Sequence, residues 1–207
     1  MSATAVERLV ALGSGSLTAE PFSSRNASSS VLEPLLRACD GFYAFESALH
    51  VFPSTPTTTE PSVGEWNTPE LWRHAFADVT DAWCFFAEDA FGAQFAIGRD
   101  AAISAFDPET GDFDPVAADL EGWAQAVLDD YRLLTGWQVA HDWQVANGAL
   151  RPGRRLIPKV PFVLGGEYSV DNLYDAEAVP ALLYRGDIAA QLRLLPDGTT
   201  VKLRVVQ

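Results

Sequence analysis

The chain has 207 residues, of which 48% are hydrophobic and 11% aromatic, a composition typical of a globular protein rather than a disordered one. Its formal net charge is −14 and its isoelectric point is near 4.4. Binding to nucleic-acid phosphates needs clustered lysine and arginine, so this charge argues against a nucleic-acid-binding protein. The length predicts one domain.

The two cysteines, Cys39 and Cys84, lie in apolar surroundings without the spacing of metal ligands. They fit either free buried thiols in a reducing compartment or a single disulfide. No segment resembles a secretory signal, and none is long and apolar enough to cross a bilayer. We therefore expect a cytoplasmic protein without membrane contact.

The N-terminal region is expected to be a flexible lead-in over residues 1–30, because residues 13–30 are rich in serine and glycine. Ser30 and Glu33 have the spacing of a capping box, which predicts a short helix that ends at Gly41. An apolar segment follows, and then a loop rich in proline and threonine. Thr68 and the proline after it predict the start of a second helix.

The middle of the chain predicts an antiparallel meander of three or four strands. Asp107-Pro-Glu-Thr-Gly111 has the residues of a hairpin turn, and Phe113 and Val116 would continue the return strand. The three preceding strands are expected at Trp83–Ala87, Gln94–Ile97 and Ala101–Phe106.

Helical periodicity begins at Ala118 and predicts a long helix that ends at Gly136, followed by a second helix over Trp137–Asn147. Residues 31–150 would thus form an α+β core, an antiparallel β-meander packed against helices. Residues 151–207 would form an extension packed on it. In this extension we expect an extended arm, two short helices at 175–184 and 187–195, and a final strand at Val201–Val206.

Metal and catalytic motifs are weak throughout the chain. Counted from Asp107, a calcium loop would need glycine at its sixth position and glutamate at its twelfth, but glycine falls fifth and alanine twelfth. The three histidines lack zinc-site spacing. Glu88 and Asp89 are adjacent, so they would point to opposite faces of a strand rather than work as a catalytic pair. The sequence predicts no metal, no cofactor and no catalytic residues.

The basic residues concentrate in one place, at Arg151, Arg154, Arg155 and Lys159. In so acidic a protein we expect them to pair with carboxylates of the same chain rather than with nucleic acid.

Five segments together resemble the SUKH superfamily, which includes the cell-wall assembly regulator family. They are CDGFYAF (39–45), Leu71-Trp72, FFAEDAFGAQFAI (85–97), the DPETG turn (107–111) and DLEGWAQAVLDDY (119–131). The segments IPKVPFVLGGEYSVDNLY (157–174) and DIAAQLRLLPDGTTVKL (187–203) are similar to an extension in a bacterial branch of that family. The residues expected to serve the shared pattern structurally are Gly41, Trp72, Phe91, Gly92, Gly111 and Trp123.

The resemblance implies an α+β fold without established catalytic residues, and in bacteria many such proteins look like immunity proteins that neutralise a toxin domain. Because nuclease toxins carry basic surfaces, the acidic charge fits such a partner. The expected partner-binding carboxylates are those of the meander turns and the strand after them, Glu88, Asp89, Asp107, Glu109, Asp112 and Asp114. Two alternatives stay open: a scaffold or regulatory interaction module, and an enzyme of unrecognised type.

Overall fold

A computed structural model describes residues 2–19, 22–23, 29–196, 199 and 201. Six antiparallel strands form one sheet in chain order, and a separate two-stranded hairpin lies in the C-terminal extension. Seven α-helices accompany the strands in the described ranges, so the predicted α+β fold is confirmed. The strands of the sheet are β1 (Phe42–Ala44), β2 (Leu49–Val51), β3 (Cys84–Asp89), β4 (Gln94–Ile97), β5 (Ile103–Asp107) and β6 (Asp112–Ala117), and the hairpin is β7 (Arg154–Pro158) with β8 (Leu173–Glu177).

The helices lie before, within and after the sheet segments. They are α1 (Ala5–Val10), α2 (Glu33–Ala38), α3 (Val63–Trp66), α4 (Leu120–Asp129), α5 (Tyr131–Leu134), α6 (Trp137–Asn147) and α7 (Ala178–Leu192). Short 3₁₀ helices occupy Ser30–Leu32, Arg73–Thr80, Phe162–Leu164 and Val170–Asn172. Within the described chain, no helix combines the length and apolar character needed to cross a bilayer.

The meander is confirmed as β3 to β6, and the apolar segment before it adds β1 and β2. The turn between these two strands is unusual, because Phe45, Glu46 and Ser47 all have positive φ, at 52°, 55° and 65°. Such a conformation costs a non-glycine residue roughly 1–2 kcal/mol. Two side chains hold the turn: Phe45 stacks on Tyr131 with ring centroids 4.5 Å apart, and Glu46 Oε2 lies 2.7 Å from His141 Nδ1.

The N-terminal region is not flexible over its first helix, which corrects the prediction for residues 1–30. Thr4 and Glu7 form a capping box at α1, and the helix buries Ala5, Val6 and Leu9 in the main core. Apolar spacing in a segment of six residues is too short a signal to be recognised against the serine-rich stretch after it.

Three helix predictions differ from the structure. Ser29, not Ser30, accepts the hydrogen bond that caps the 3₁₀ turn before α2. The helix expected from Thr68 is a 3₁₀ helix that begins at Arg73, while α3 forms earlier on a capping box of Ser62 and Glu65. The long helix expected from Ala118 is divided after α4, because Asp130 leaves helical geometry and its side chain caps α5 instead.

The extension is more regular than predicted. Its arm forms the β7–β8 hairpin, and the two expected short helices are replaced by β8 and a single helix, α7. Pro180 lies in the first turn of α7, where backbone N–H groups have no helical partner and proline is tolerated. The predicted final strand, Val201–Val206, lies outside the described residues except at its first position.

The core explains most of the expected structural residues. Trp72 and Trp123 are fully buried, and Phe91 is 4% exposed. Gly41 has φ of +71°, and a Cβ there would lie 2.8 Å from Pro53, so both its backbone conformation and its surroundings require glycine. Gly92 and Gly111 occupy the β3–β4 and β5–β6 turns, also with positive φ.

Candidate functional site

The carboxylates predicted to bind a partner separate into buried and exposed groups. Glu88 is 1% exposed and Glu109 is 4% exposed, which corrects the expectation that they belong to an accessible rim. Asp89 and Asp107 are half-buried, whereas Asp112 and Asp114 on β6 are exposed. Only the last two present their side chains freely to a large partner.

Glu88 is buried in an ionic network with two residues that are 0% exposed, His50 and Arg155. Its Oε1 lies 2.6 Å from Arg155 Nη2 and 3.1 Å from His50 Nδ1. Gln94 donates a 3.0 Å hydrogen bond to its Oε2. Arg155 belongs to β7, so this ion pair fastens the extension to the main sheet.

Two further groups close the network on the side of β1. Tyr43 stacks on His50 with ring centroids 4.4 Å apart and hydrogen-bonds to Glu60 through its hydroxyl. Glu60 Oε2 lies 3.7 Å from His50 Nε2, which is too long for a hydrogen bond. His50 Nε2 therefore has no hydrogen-bond partner among the described residues.

The charge states of this network follow from burial and pairing. Burial lowers the pKa of His50 below its ordinary value, even though Glu88 works in the opposite direction, so His50 is neutral. Burial alone would raise the pKa of Glu88, but Arg155 and His50 outweigh it and hold that pKa below its ordinary value. The network is a neutral imidazole beside a closed ion pair, and its burial keeps it from contact with a substrate.

A second buried arginine, Arg185 of α7, ties the extension to the meander turns. Its Nη1 donates to the carbonyl of Phe91, and its Nη2 lies 3.4 Å from Glu109 Oε1. The other oxygen of Glu109 accepts a 2.9 Å hydrogen bond from the backbone of Val163. Glu109 thus joins the β5–β6 turn to two parts of the extension.

Three residues of the basic run pair with carboxylates of the protein, as predicted: Arg151, Arg154 and Arg155. Lys159 instead contacts a backbone carbonyl. Arg151 and Arg154 both contact Asp175 of the adjacent strand β8. Their hydrogen bonds, that of Arg154 first, lower the pKa of Asp175 below its ordinary value. Lys159 Nζ lies 2.7 Å from the carbonyl oxygen of Asp171.

Neither cysteine is in a disulfide: Cys39 and Cys84 are both free. Within the described residues, no three histidine, cysteine or acidic side chains are grouped so that they could hold a metal ion. Asp107 Oδ1 accepts a 2.7 Å hydrogen bond from the Glu109 backbone, which is the ordinary role of aspartate at the start of a turn.

An open acidic surface follows the β5–β6 turn. Between residues 112 and 130 the chain has no lysine, arginine or histidine, and all six of its carboxylates are exposed. We call this segment the acidic face; its carboxylates are Asp112, Asp114, Asp119, Glu121, Asp129 and Asp130.

Three residues that complete the buried networks were not predicted from the sequence: His50, Glu60 and Arg185. Arg155 was predicted to pair with a carboxylate, but not with a specific one. His50 has one usable signal, because it lies between two buried apolar residues of a three-residue strand. The arginines have none, since their partners lie far away along the chain.

Comparison with known proteins gives the fold alone. No family model matches the chain, and no curated protein shows detectable similarity to it. The structure is similar to the crystal structure of Atu4351 from Agrobacterium tumefaciens, with a TM-score of 0.50 and 12% sequence identity over 84% of this chain and 85% of that one. The resemblance to the SUKH superfamily stays a prediction.

Proposed function

We propose that the protein is a non-catalytic binding protein of the SUKH type that neutralises a basic toxin domain. The observation that carries this proposal is the acidic face, a 19-residue segment whose exposed charges are all negative. An excess of one sign of charge on a surface attracts an oppositely charged partner and can raise the association rate by about 10–10³-fold. The excess is not complete here, because Arg8 of α1 contacts the segment at Gln125. A catalytic nuclease domain must hold a phosphate backbone, so its own surface is basic.

The buried ionisable groups support binding rather than catalysis. Catalytic acids and bases must reach a substrate, whereas His50 and Glu88 are enclosed between the main sheet and the extension. Their interactions stabilise the packing of these two parts.

A growth assay tests whether the protein protects cells from a toxin. Toxin domains encoded next to the gene would be expressed with and without this protein, and we expect growth to be restored for one of them. If none of them is neutralised, the proposal is wrong; a stable complex with a cellular protein instead would favour the scaffold alternative.

The role of the acidic face can be tested on the same complex. The double variant D112N/D114N removes two exposed charges from the face, and the matched control E70Q/E167Q removes two exposed charges elsewhere. We expect the first to slow association several-fold more at low salt than at 0.5 M salt, since the Debye length falls with ionic strength. Equal effects of the two variants would show that net charge, not this face, attracts the partner.

A further inference from the structure

A small cavity lies between the meander turns and the extension, beside the Arg185–Glu109 contact. Its volume is about 150 Å³, comparable with an engineered cavity of about 150 Å³ that holds benzene. The volume therefore suits a group of five or six heavy atoms. The extension supplies Phe162, Tyr168 and Arg185 to the wall, and the turns supply Asp89, Asp107 and Glu109.

The wall carries more negative than positive charge. Among the described residues of the wall the one cation is Arg185, which is already held by Glu109 and by the Phe91 carbonyl. Arg185 Nε is closed to solvent and has no acceptor among the described residues. The charges of Arg185 and Glu109 offset each other, so the carboxylates of Asp89 and Asp107 give the wall its excess negative charge.

Both remaining carboxylates have an unused oxygen. Asp89 Oδ1 accepts from the backbone N–H groups of Phe91 and Ala93, at 2.8 Å each, and Asp107 Oδ1 accepts from Glu109. Their second oxygens have no hydrogen-bond partner in the described part of the chain. The cavity thus offers acceptors for which the protein supplies no donor.

The remaining wall is apolar, with three aromatic rings beside Ala93 and Pro108. The Phe91 ring centroid lies 4.8 Å from that of Tyr168 and 5.9 Å from that of Phe162, and the last two lie 4.6 Å apart. Aromatic faces attract cations through their quadrupole, as carboxylates do through charge. Aromatic and acidic groups together define a site for a cation with an apolar stem.

The electrostatics of the cavity would favour a bound cation. Burial raises the pKa of Asp89 to about 7, although two backbone hydrogen bonds and Arg185 oppose the shift. Burial, followed by Asp89, also raises the pKa of Tyr168. A cation bound in the cavity would favour the charged form of Asp89.

We propose that this cavity binds the primary ammonium group of a lysine side chain from the protein partner. From Cβ to Nζ a lysine side chain has five heavy atoms, which matches the volume, and its three N–H donors match the unused oxygens of Asp89 and Asp107. The cavity adjoins the acidic face, because Asp107 pairs with Asp112 across β5 and β6. This inference rests on the proposed function for the identity of the partner but not for the chemistry of the site.

The experiment uses n-butylammonium as the probe, with n-butanol as its neutral counterpart, and follows the backbone amide resonances of Phe91, Ala93 and Glu109 by NMR. We expect butylammonium to shift these resonances with a dissociation constant of about 1–100 mM, the range for so small a fragment. Binding should tighten as the pH rises from 6 to 8, because Asp89 then loses its proton. Butanol at the same concentrations should leave the resonances unchanged.

Asparagine substitutions keep the Oδ1 acceptor of each turn and remove one charge. D89N and D107N should each weaken binding about tenfold, as expected for loss of a hydrogen bond to a charged group. The control E70Q removes an equal charge at an exposed position away from the cavity and should weaken binding less than twofold. The spectrum of each variant shows directly whether it is folded.

The inference is overturned if butylammonium causes no saturable shift, if butanol causes the same shift, or if E70Q acts as strongly as D107N. These outcomes are independent of the toxin experiment. Protection without ammonium binding would reject only the lysine site, and ammonium binding without protection would reject only the proposed function.

Discussion

Replacement of Arg155 by methionine is expected to remove a substantial fraction of the protein's stability. Methionine retains the apolar stem but leaves Glu88, 1% exposed, without the cation that lies 2.6 Å from it. Removal of one partner of a buried ion pair costs about 3–5 kcal/mol. A domain of this kind has a total free energy of unfolding of about 5–15 kcal/mol, so a loss of this size is readily measured.

Urea unfolding followed by tryptophan fluorescence measures this cost, because Trp66, Trp72 and Trp123 are all at most 1% exposed. With a urea slope of about 2–3 kcal/mol per M, the midpoint should fall by about 1–2.5 M. The matched control is R154M, which removes the neighbouring arginine from a partly exposed pair with Asp175. That change should cost no more than about 1 kcal/mol.

Two further measurements test the stated cause. In R155M, burial is no longer opposed by the arginine, so the pKa of Glu88 rises and the carboxyl takes up a proton as the pH falls. The destabilisation should therefore be smaller at pH 5 than at pH 8. Adding E88Q removes the stranded charge and should recover about half of the loss. The explanation is refuted if R155M costs no more than R154M, or if E88Q destabilises R155M further.

Three smaller changes test other features. The pKa of His50 is lowered in the folded state, so its contribution to stability is present above the unfolded pKa of about 6.5 and is lost as the pH falls below that value. Below about pH 6.5 the difference between the wild-type and H50Q unfolding free energies should fall by up to about 1.4 kcal/mol per pH unit. A constant difference would contradict this. G136A should lower the thermal midpoint more than G165A, since both glycines have positive φ but only at Gly136 would a Cβ meet a ring atom, at 2.0 Å. S29A should cost about 1 kcal/mol in urea unfolding and S30A almost nothing, because Ser29 is the cap; the reverse order would restore the capping box predicted from the sequence.

Helices and strands whose ends are set by residues next to them in the chain were predictable from the sequence. The helix α6 has the predicted bounds because Gly136 and Gly148 enclose it with backbone angles suited to glycine, and β4 has them because turn residues flank it. Predictions failed where two local signals compete. Asp130 can continue a helix or cap the next one, and Pro180 can stop a helix or lie in its first turn.

Only the kinds of charged residue in the candidate site were predictable from the sequence. The sequence shows an acidic middle and a basic run after it, and pairing between them follows from charge. Which acid is buried does not follow, because Arg185 and Glu109 are 76 residues apart and meet only after the extension has packed. The cavity was not predictable for the same reason. Its walls come from the β3–β4 and β5–β6 turns and from the extension, which α4, α5 and α6 separate from those turns along the chain.

The two buried arginines also set an order of events during biosynthesis. Glu88 and Glu109 can become enclosed at acceptable cost only after Arg155 and Arg185 have been translated. Ribosomes add about 5–20 residues per second, so the meander, complete at Ala117, waits roughly 3–14 s for Arg185 to be added. During that interval Glu88 and Glu109 stay ionised and in contact with water. Arg155 and Arg185 then supply the opposite charges when the extension packs on the sheet.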